Sequence, residues 1–212
     1  MISEASDDMD EKHMILYSDA TNGPITVHYA SAKVSTDRID LKNALALRLL
    51  QDADATLSQK RNAQLFKSDR YGCPRFIMRH LSPIKISFSY QGQVIWAAVA
   101  QAKALGIDVE NPENFSSPYP FDRVFINDEF RHVTDFCANR EDAAALLWSC
   151  KEAAVKNLGL GFHYMDPRDV RICSCLEEAP FSFRLLVMTP PKNILVVAKR
   201  EQHLWLAIAV SG

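Results

Sequence analysis

The stretch Leu105-Gly106-Ile107-Asp108-Val109-Glu110, read together with Trp148-Ser149-Cys150-Lys151-Glu152-Ala153-Ala154-Val155-Lys156, decides how this chain is organised. As a strand, the first segment points Asp108 and Glu110 to one face and Ile107 and Val109 to the other. As a helix, the second stacks Trp148, Glu152 and Lys156 at i, i+4 and i+8 along one stripe. Each segment alone has an ordinary reading. Two carboxylates near a strand end suit a solvated face, and a Glu-to-Lys pair one turn apart is a common helix stabiliser. Beside Trp148 the same charges also read as long side chains lying over an aromatic ring. Together they bring three carboxylates and a cation to one place. That set suits a magnesium ion carrying a phosphate ester.

Working outward, the break near Leu105 divides the chain into halves of similar size, 14–105 and 106–212, after an acidic segment 1–13. Glu4, Asp7, Asp8, Asp10 and Glu11 make that start the opposite of a signal or transit peptide; a disordered tail is expected. At 212 residues and 48% hydrophobic, the chain has enough apolar material for one or two cores. A net charge of −2 provides no attraction for nucleic acid or an anionic membrane surface. No apolar run approaches the roughly 20 residues of a membrane-spanning helix. Cysteines 73, 137, 150, 173 and 175 are odd in number and form no CxxC pair, which points to reduced thiols and a cytoplasmic protein. Cys173 and Cys175 share one strand face and read as small packing residues.

In the first half, strands are expected over 14–17 and 25–30 around the turn Thr21-Asn22-Gly23-Pro24, then an amphipathic helix over 41–57. Tyr71-Gly72-Cys73-Pro74 is a turn, and 84–89 with 94–100 form a hairpin around Gln91-Gly92. In the second half, the prolines between Asn111 and Pro120 predict a loop, followed by helices over 122–137 and 141–158. Gly159 is placed to end the last helix. Strands are expected over 170–176, 183–189, 194–198 and 204–210. Strands and helices mix without a regular βαβ rhythm, so the fold class is α+β.

The two opening motifs resemble those of the 4′-phosphopantetheinyl transferases of the larger, surfactin-synthetase-activating type. Those enzymes carry a G-[IV]-D-[IV]-E strand and, further along, W-[ST]-x-K-E-[AS]-x-x-K. Ile86-Ser87-Phe88-Ser89, Gly72-Cys73-Pro74, Phe125 to Glu129, and Gly159 with Gly161 extend the likeness. The resemblance implies an intramolecular pseudo-dimer of two similar α+β subdomains, with the active site in the cleft between them and a monomer as the default. It implies Mg²⁺ held by Asp108, Glu110 and Glu152, and transfer of the phosphopantetheine arm of coenzyme A to a serine of an acyl or peptidyl carrier protein. Glu152 would take the serine proton and Lys156 would stabilise the departing 3′,5′-ADP. Lys151, about 100° round the helix from Glu152, is given a structural or rim role. Glu129 is either near the entrance or a surface residue, and 115–121 is a plausible rim for the carrier.

The sequence departs from the family's pattern where coenzyme A would be gripped. Ser89-Tyr90 stands in place of Ser-His, and Cys73 in place of the lysine of Gly-Lys-Pro. A tyrosine can donate one hydrogen bond but brings no positive charge near neutral pH. Arg38, Lys42 and Arg48 are the candidates for a thin basic stretch, and Arg75, Arg79 and His80 are placed to compensate. Ser89, Tyr90, Arg75, Arg38 and Lys156 are therefore the expected coenzyme A contacts. The alternative is a non-catalytic relative that binds carrier protein or coenzyme A without transfer; a magnesium-dependent hydrolase on the same scaffold is the third reading.

Overall fold

The strand alternation of Ile107 and Val109 against Asp108 and Glu110 recurs along several strands, and it builds the molecule in layers. The computed structural model describes residues 10–16, 24–34, 38–53, 65–77, 81, 83–179, 182–189 and 192–212. Along the chain come β1 (Asp10–Leu16), β2 (Ile25–Lys33), helix α1 (Arg38–Ala53), a small hairpin of β3 (Phe66–Ser68) and β4 (Pro74–Phe76), β5 (Ile84–Gln91) and β6 (Val94–Gln101). Then follow β7 (Ala104–Glu110), α2 (Phe121–Val124), α3 (Asn127–Arg131), α4 (Arg140–Asn157), β8 (Arg171–Ala179), β9 (Ser182–Thr189), β10 (Lys192–Glu201) and β11 (Leu204–Ser211). The fold is mixed α+β. One antiparallel sheet runs β1-β2-β6-β5, a second β7-β11-β10-β9-β8, and β3 and β4 pair by themselves.

On β6, Ile95, Ala97 and Val99 face α1, packing with Leu45, Leu49 and Leu50. The alternate residues Trp96, Ala98 and Ala100 face the other way and meet Ile107, Val109, Leu206 and Ile208 of the second sheet. On β11, Trp205, Ala207 and Ala209 turn toward α4. The order is therefore α1, first sheet, second sheet, α4. Strands buried on both faces need apolar residues at nearly every position, which accounts for the long apolar runs of β6 and β11.

Helix α4 is capped as its sequence dictates. The Asn139 side chain accepts the Asp142 N–H at 2.8 Å, and Gly159 takes φ +74° just beyond the last turn. The helix lies unusually close to β7: a Cβ on Gly106 would stand 2.0 Å from the Ala153 carbonyl oxygen. Only glycine permits this approach, and it sets the distance between Asp108 and the helix.

Several expectations change. Residues 10–13, expected in a disordered tail, are part of β1 and pair with 28–31 of β2, because that edge of the sheet offers free backbone groups. Residues 1–9, the turn residues 21–23 and the expected end of the first helix, 54–57, lie outside the described residues. The single helix expected over 122–137 is broken into α2, α3 and a short 3-10 turn, Thr134–Phe136. Phe125 and Ile126 are extended between α2 and α3, and the Glu129 carboxylate accepts the Ile126 N–H at 2.8 Å to start α3. Cys173 and Cys175 do not share a face: the β8–β9 register shifts between Ile172 and Ser174, so Cys173 is exposed and Cys175 packs against the core.

Candidate active site

β7 and α4 build the site from opposite sides. Because Gly106, Asp108 and Glu110 share the α4-facing side of the strand, the close approach at Gly106 brings Asp108 against Lys156. Lys156 Nζ donates to Asp108 Oδ1 at 2.6 Å and to the Ile107 carbonyl at 3.2 Å, and stands 3.2 Å from Glu152 Oε2. β5 supports the strand from its other edge. The Ser89 hydroxyl donates to Asp108 Oδ1 at 2.8 Å and accepts the Val109 N–H at 3.2 Å, and Ser87 Oγ accepts the Ile107 N–H at 3.1 Å. Glu110 accepts from the Asn114 amide at 3.1 Å.

Burial and like charge oppose ionisation of the carboxyls within this cluster. Asp108 is 2% exposed, and its Oδ2 is buried without a hydrogen-bond partner among the described residues. Burial pushes the Asp108 carboxyl up to about 7, with Lys156 opposing and Glu152 adding repulsion. Burial, then the Asp108 charge, pushes Glu110 up to about 8. For Lys156, burial disfavours the charge, yet Asp108 and Glu152 outweigh it and hold the ammonium above its ordinary range. Tyr119 joins from the loop after β7. Burial, then Glu110 and Glu152, pushes its phenol up to about 12. This neighbour was not legible in the sequence, where Pro118-Tyr119-Pro120 marks only a loop.

Beside the carboxylates opens a cleft of about 620 Å³, with Glu152 and Lys156 in its wall. Among the described residues lining it, the other cations are Lys42, Arg75, Lys85 and Lys103, and the acid is Glu152. The β3–β4 hairpin closes one side: the Tyr71 ring meets Tyr164 edge-on at 5.2 Å, and Cys73 Sγ lies against Gly159. Tyr90 lines the cleft and is partly exposed. Ser89 is buried on Asp108 and does not line the cleft. Arg75 lines it with its Nε bonded to Asp69 Oδ2 at 2.8 Å. The Arg38 side chain, Arg79 and His80 lie outside the described residues.

Lys151 and Glu129 belong elsewhere. Lys151 is fully buried and donates to Glu129 Oε2 at 2.8 Å, the Val124 carbonyl at 3.1 Å and the Pro167 carbonyl at 3.0 Å. Burial lowers its pKa, with Glu129 opposing. Glu129, 2% exposed, also accepts the N–H groups of Ile126 and Ile172. It is neither a surface residue nor an entrance residue. Phe115, expected on the rim, is core.

Among the described residues, no group of three or more carboxylate, histidine or cysteine side chains stands ready-gathered around a metal position. The donor set nonetheless fits a divalent cation. Among the described residues Asp108 Oδ2 is a buried oxygen lacking a partner; Glu152 is near enough to raise Asp108, and Asp108 and Glu152 are near enough to raise Glu110. Hard carboxylate oxygens are the donors magnesium prefers.

Residues 104–208 match the sequence model of the 4′-phosphopantetheinyl transferase superfamily. This part of the chain, from β7 through most of β11, is a domain of that transferase superfamily. No curated protein matches the chain. The matched segment contains Asp108, Glu110, Glu152 and Lys156, whereas Lys42, Cys73 and Tyr90 fall before it. No helix among the described residues is long and apolar enough to cross a membrane.

Proposed function

We propose that this protein transfers the 4′-phosphopantetheine arm of coenzyme A to a serine of an acyl or peptidyl carrier protein, with Mg²⁺ as cofactor. One observation carries this reading within the matched segment: a buried, partnerless Asp108 oxygen beside a lysine held between Asp108 and Glu152. Asp108, Glu110 and Glu152 would hold the metal. When bound, Mg²⁺ supplies charge neutralisation at the pyrophosphate of coenzyme A.

The chain's own groups account for the rest. Glu152, at the cleft, accepts the proton of the carrier serine hydroxyl as that oxygen bonds to the phosphorus bearing the pantetheine arm. The bond from this phosphorus to the bridging pyrophosphate oxygen breaks, and 3′,5′-ADP leaves with the electron pair. Lys156, kept protonated by its carboxylate neighbours, stabilises the charge on the departing oxygen. Ser89 acts through Asp108: its hydrogen bond fixes which carboxylate oxygen faces Lys156.

The competing reading, a relative that binds coenzyme A or carrier protein without transfer, draws on the cations missing from the family's pattern at Cys73 and Tyr90. Intact-mass analysis of apo carrier proteins incubated with the protein, coenzyme A and Mg²⁺ decides between them. A phosphopantetheine adduct that is lost with chelator, and in Asp108→Ala and Glu152→Ala, is the expected result. Binding with no adduct on any carrier favours the second reading, and coenzyme A breakdown without a carrier favours a hydrolase.

A further inference from the structure

Resting on the function proposed above, we propose that Asn114 is a positioning residue of the metal site: its amide, itself held by Gln91, fixes which oxygen of Glu110 is offered to the cation. Among the described residues, each of the three carboxylates has one oxygen taken. Asp108 Oδ1 accepts from Ser89 and Lys156, Glu152 Oε2 is paired with Lys156, and Glu110 Oε2 accepts from Asn114 Nδ2 at 3.1 Å. That leaves Asp108 Oδ2, Glu110 Oε1 and Glu152 Oε1, one oxygen from each, for a divalent cation. Lys156 orients two of the three carboxylates. Glu110 is oriented by the amide.

Asn114 has a fixed place although it is exposed. It belongs to a 3-10 turn, Pro112–Phe115, capped by Asn111, whose side chain accepts the Glu113 N–H at 3.1 Å. The next residue, Phe115, is buried in the core that α4 lines. Glu113, the acid of this turn, accepts from Asn111 Nδ2 at 3.2 Å. The Asn114 amide has a second hydrogen, and Gln91 Oε1 accepts it at 3.3 Å. Gln91 ends β5 and shares one face of that strand with Ser87 and Ser89. β5 and β7 are edge strands of different sheets, and Ser87 and Ser89 take the N–H groups of Ile107 and Val109 in place of a ladder. Gln91 continues this polar column through Asn114 to Glu110. Asp108 is thus oriented from β5 directly, and Glu110 through one intermediary. A donor that holds one oxygen of a ligating carboxylate leaves the other for the ion, and losing such a partner costs roughly ten- to a hundredfold in metal affinity.

Mn²⁺ takes the same oxygen donors as Mg²⁺, and the electron paramagnetic resonance signal of the free ion counts what is bound. It is titrated into the full chain with coenzyme A present, against a blank of coenzyme A alone. Asn114→Leu keeps the shape and removes the donor. It is expected to raise the Kd for Mn²⁺ about tenfold, with the unfolding midpoint of the chelated protein unaltered. Gln91→Leu raises the Kd several-fold alone and adds nothing to Asn114→Leu, the coupling expected when one residue acts through the other. Gln91→Glu keeps an acceptor for the amide and keeps the affinity. If Asn114→Leu does not fold, Asn114→Ala replaces it. An unaltered Kd in the Asn114 variant, whatever its unfolding midpoint, overturns the inference and leaves the proposed function standing. The expected losses in a protein that forms no adduct support the inference and overturn the transfer reading. An unaltered protein that binds no Mn²⁺ overturns both. Equal losses in Gln91→Glu and Gln91→Leu overturn the part given to Gln91.

Discussion

Lys151 and Lys156 lie on the same helix, each against a carboxylate from another element, and they do opposite things. Around Lys151 every bond closes: three oxygens take the ammonium, and the Glu129 carboxylate is met by two backbone N–H groups as well. Around Lys156 the account stays open, with a partnerless Asp108 oxygen and carboxyls pushed up to about 7 and about 8. A closed buried ion pair holds elements in register, here α3 and β8 against α4. An open one at a cleft is poised to take a ligand. The difference is one of satisfaction, not of residue type.

The strongest test breaks the closed pair. Lys151→Ala leaves Glu129 charged and buried without its partner, and a destabilisation of about 3–5 kcal/mol is expected in denaturant unfolding. Transfer measured well below the unfolding midpoint should survive. A mild stability effect with lost activity would mean that Lys151 belongs with Lys156 after all. The converse substitution, Asp108→Asn, should cut adduct formation a hundredfold or more, about 3 kcal/mol of barrier, while costing far less stability than Lys151→Ala. Asp108→Asn with full activity would remove Asp108 from the chemistry.

Gly106→Ala affects both regions, since the new methyl must push α4 from β7. A loss of about 1–3 kcal/mol in stability is expected, together with reduced transfer as Lys156 moves from Asp108. An unchanged unfolding midpoint would show that the close approach is not required. The smallest effect is that of Mg²⁺ on the pH dependence. Asp108 and Glu110 hold protons in the folded state that the unfolded chain has released, so the folded state is favoured at low pH in this window. Stability of the chelated protein should fall as pH rises from about 4 toward about 8. At pH 8, Mg²⁺ at tenfold over its Kd should restore about 1.4 kcal/mol. A profile that Asp108→Asn leaves unaltered would locate the titration elsewhere.

Much of this was legible from local pattern. The alternation in 105–110 put Asp108 and Glu110 on one face, and the helix expected over 141–158, with Gly159 to end it, lies within a residue of α4 at both ends. Glu129 was misread because its carboxylate is claimed by Lys151 and by Ile172 of β8, partners that no helix period reveals. Cys173 was misread because a bulge is an irregularity of pairing, visible only once β9 is beside β8. Tyr119 was expected only as part of a carrier rim over 115–121, because nothing in a proline-flanked loop shows that it turns toward Glu110 and Glu152.

The sequence by itself determined the chemical set. Asp108, Glu110, Glu152 and Lys156 follow from periods of two and of about 3.6 residues, which the backbone imposes on any strand or helix. Tertiary structure alone decided which lysine is structural and which is poised, and what lines the cleft away from the carboxylates. Burial and satisfaction depend on partners distant in the chain. Lys151 is enclosed by loops and helices that the second sheet holds in place, whereas Lys156 lies in the wall of a cleft.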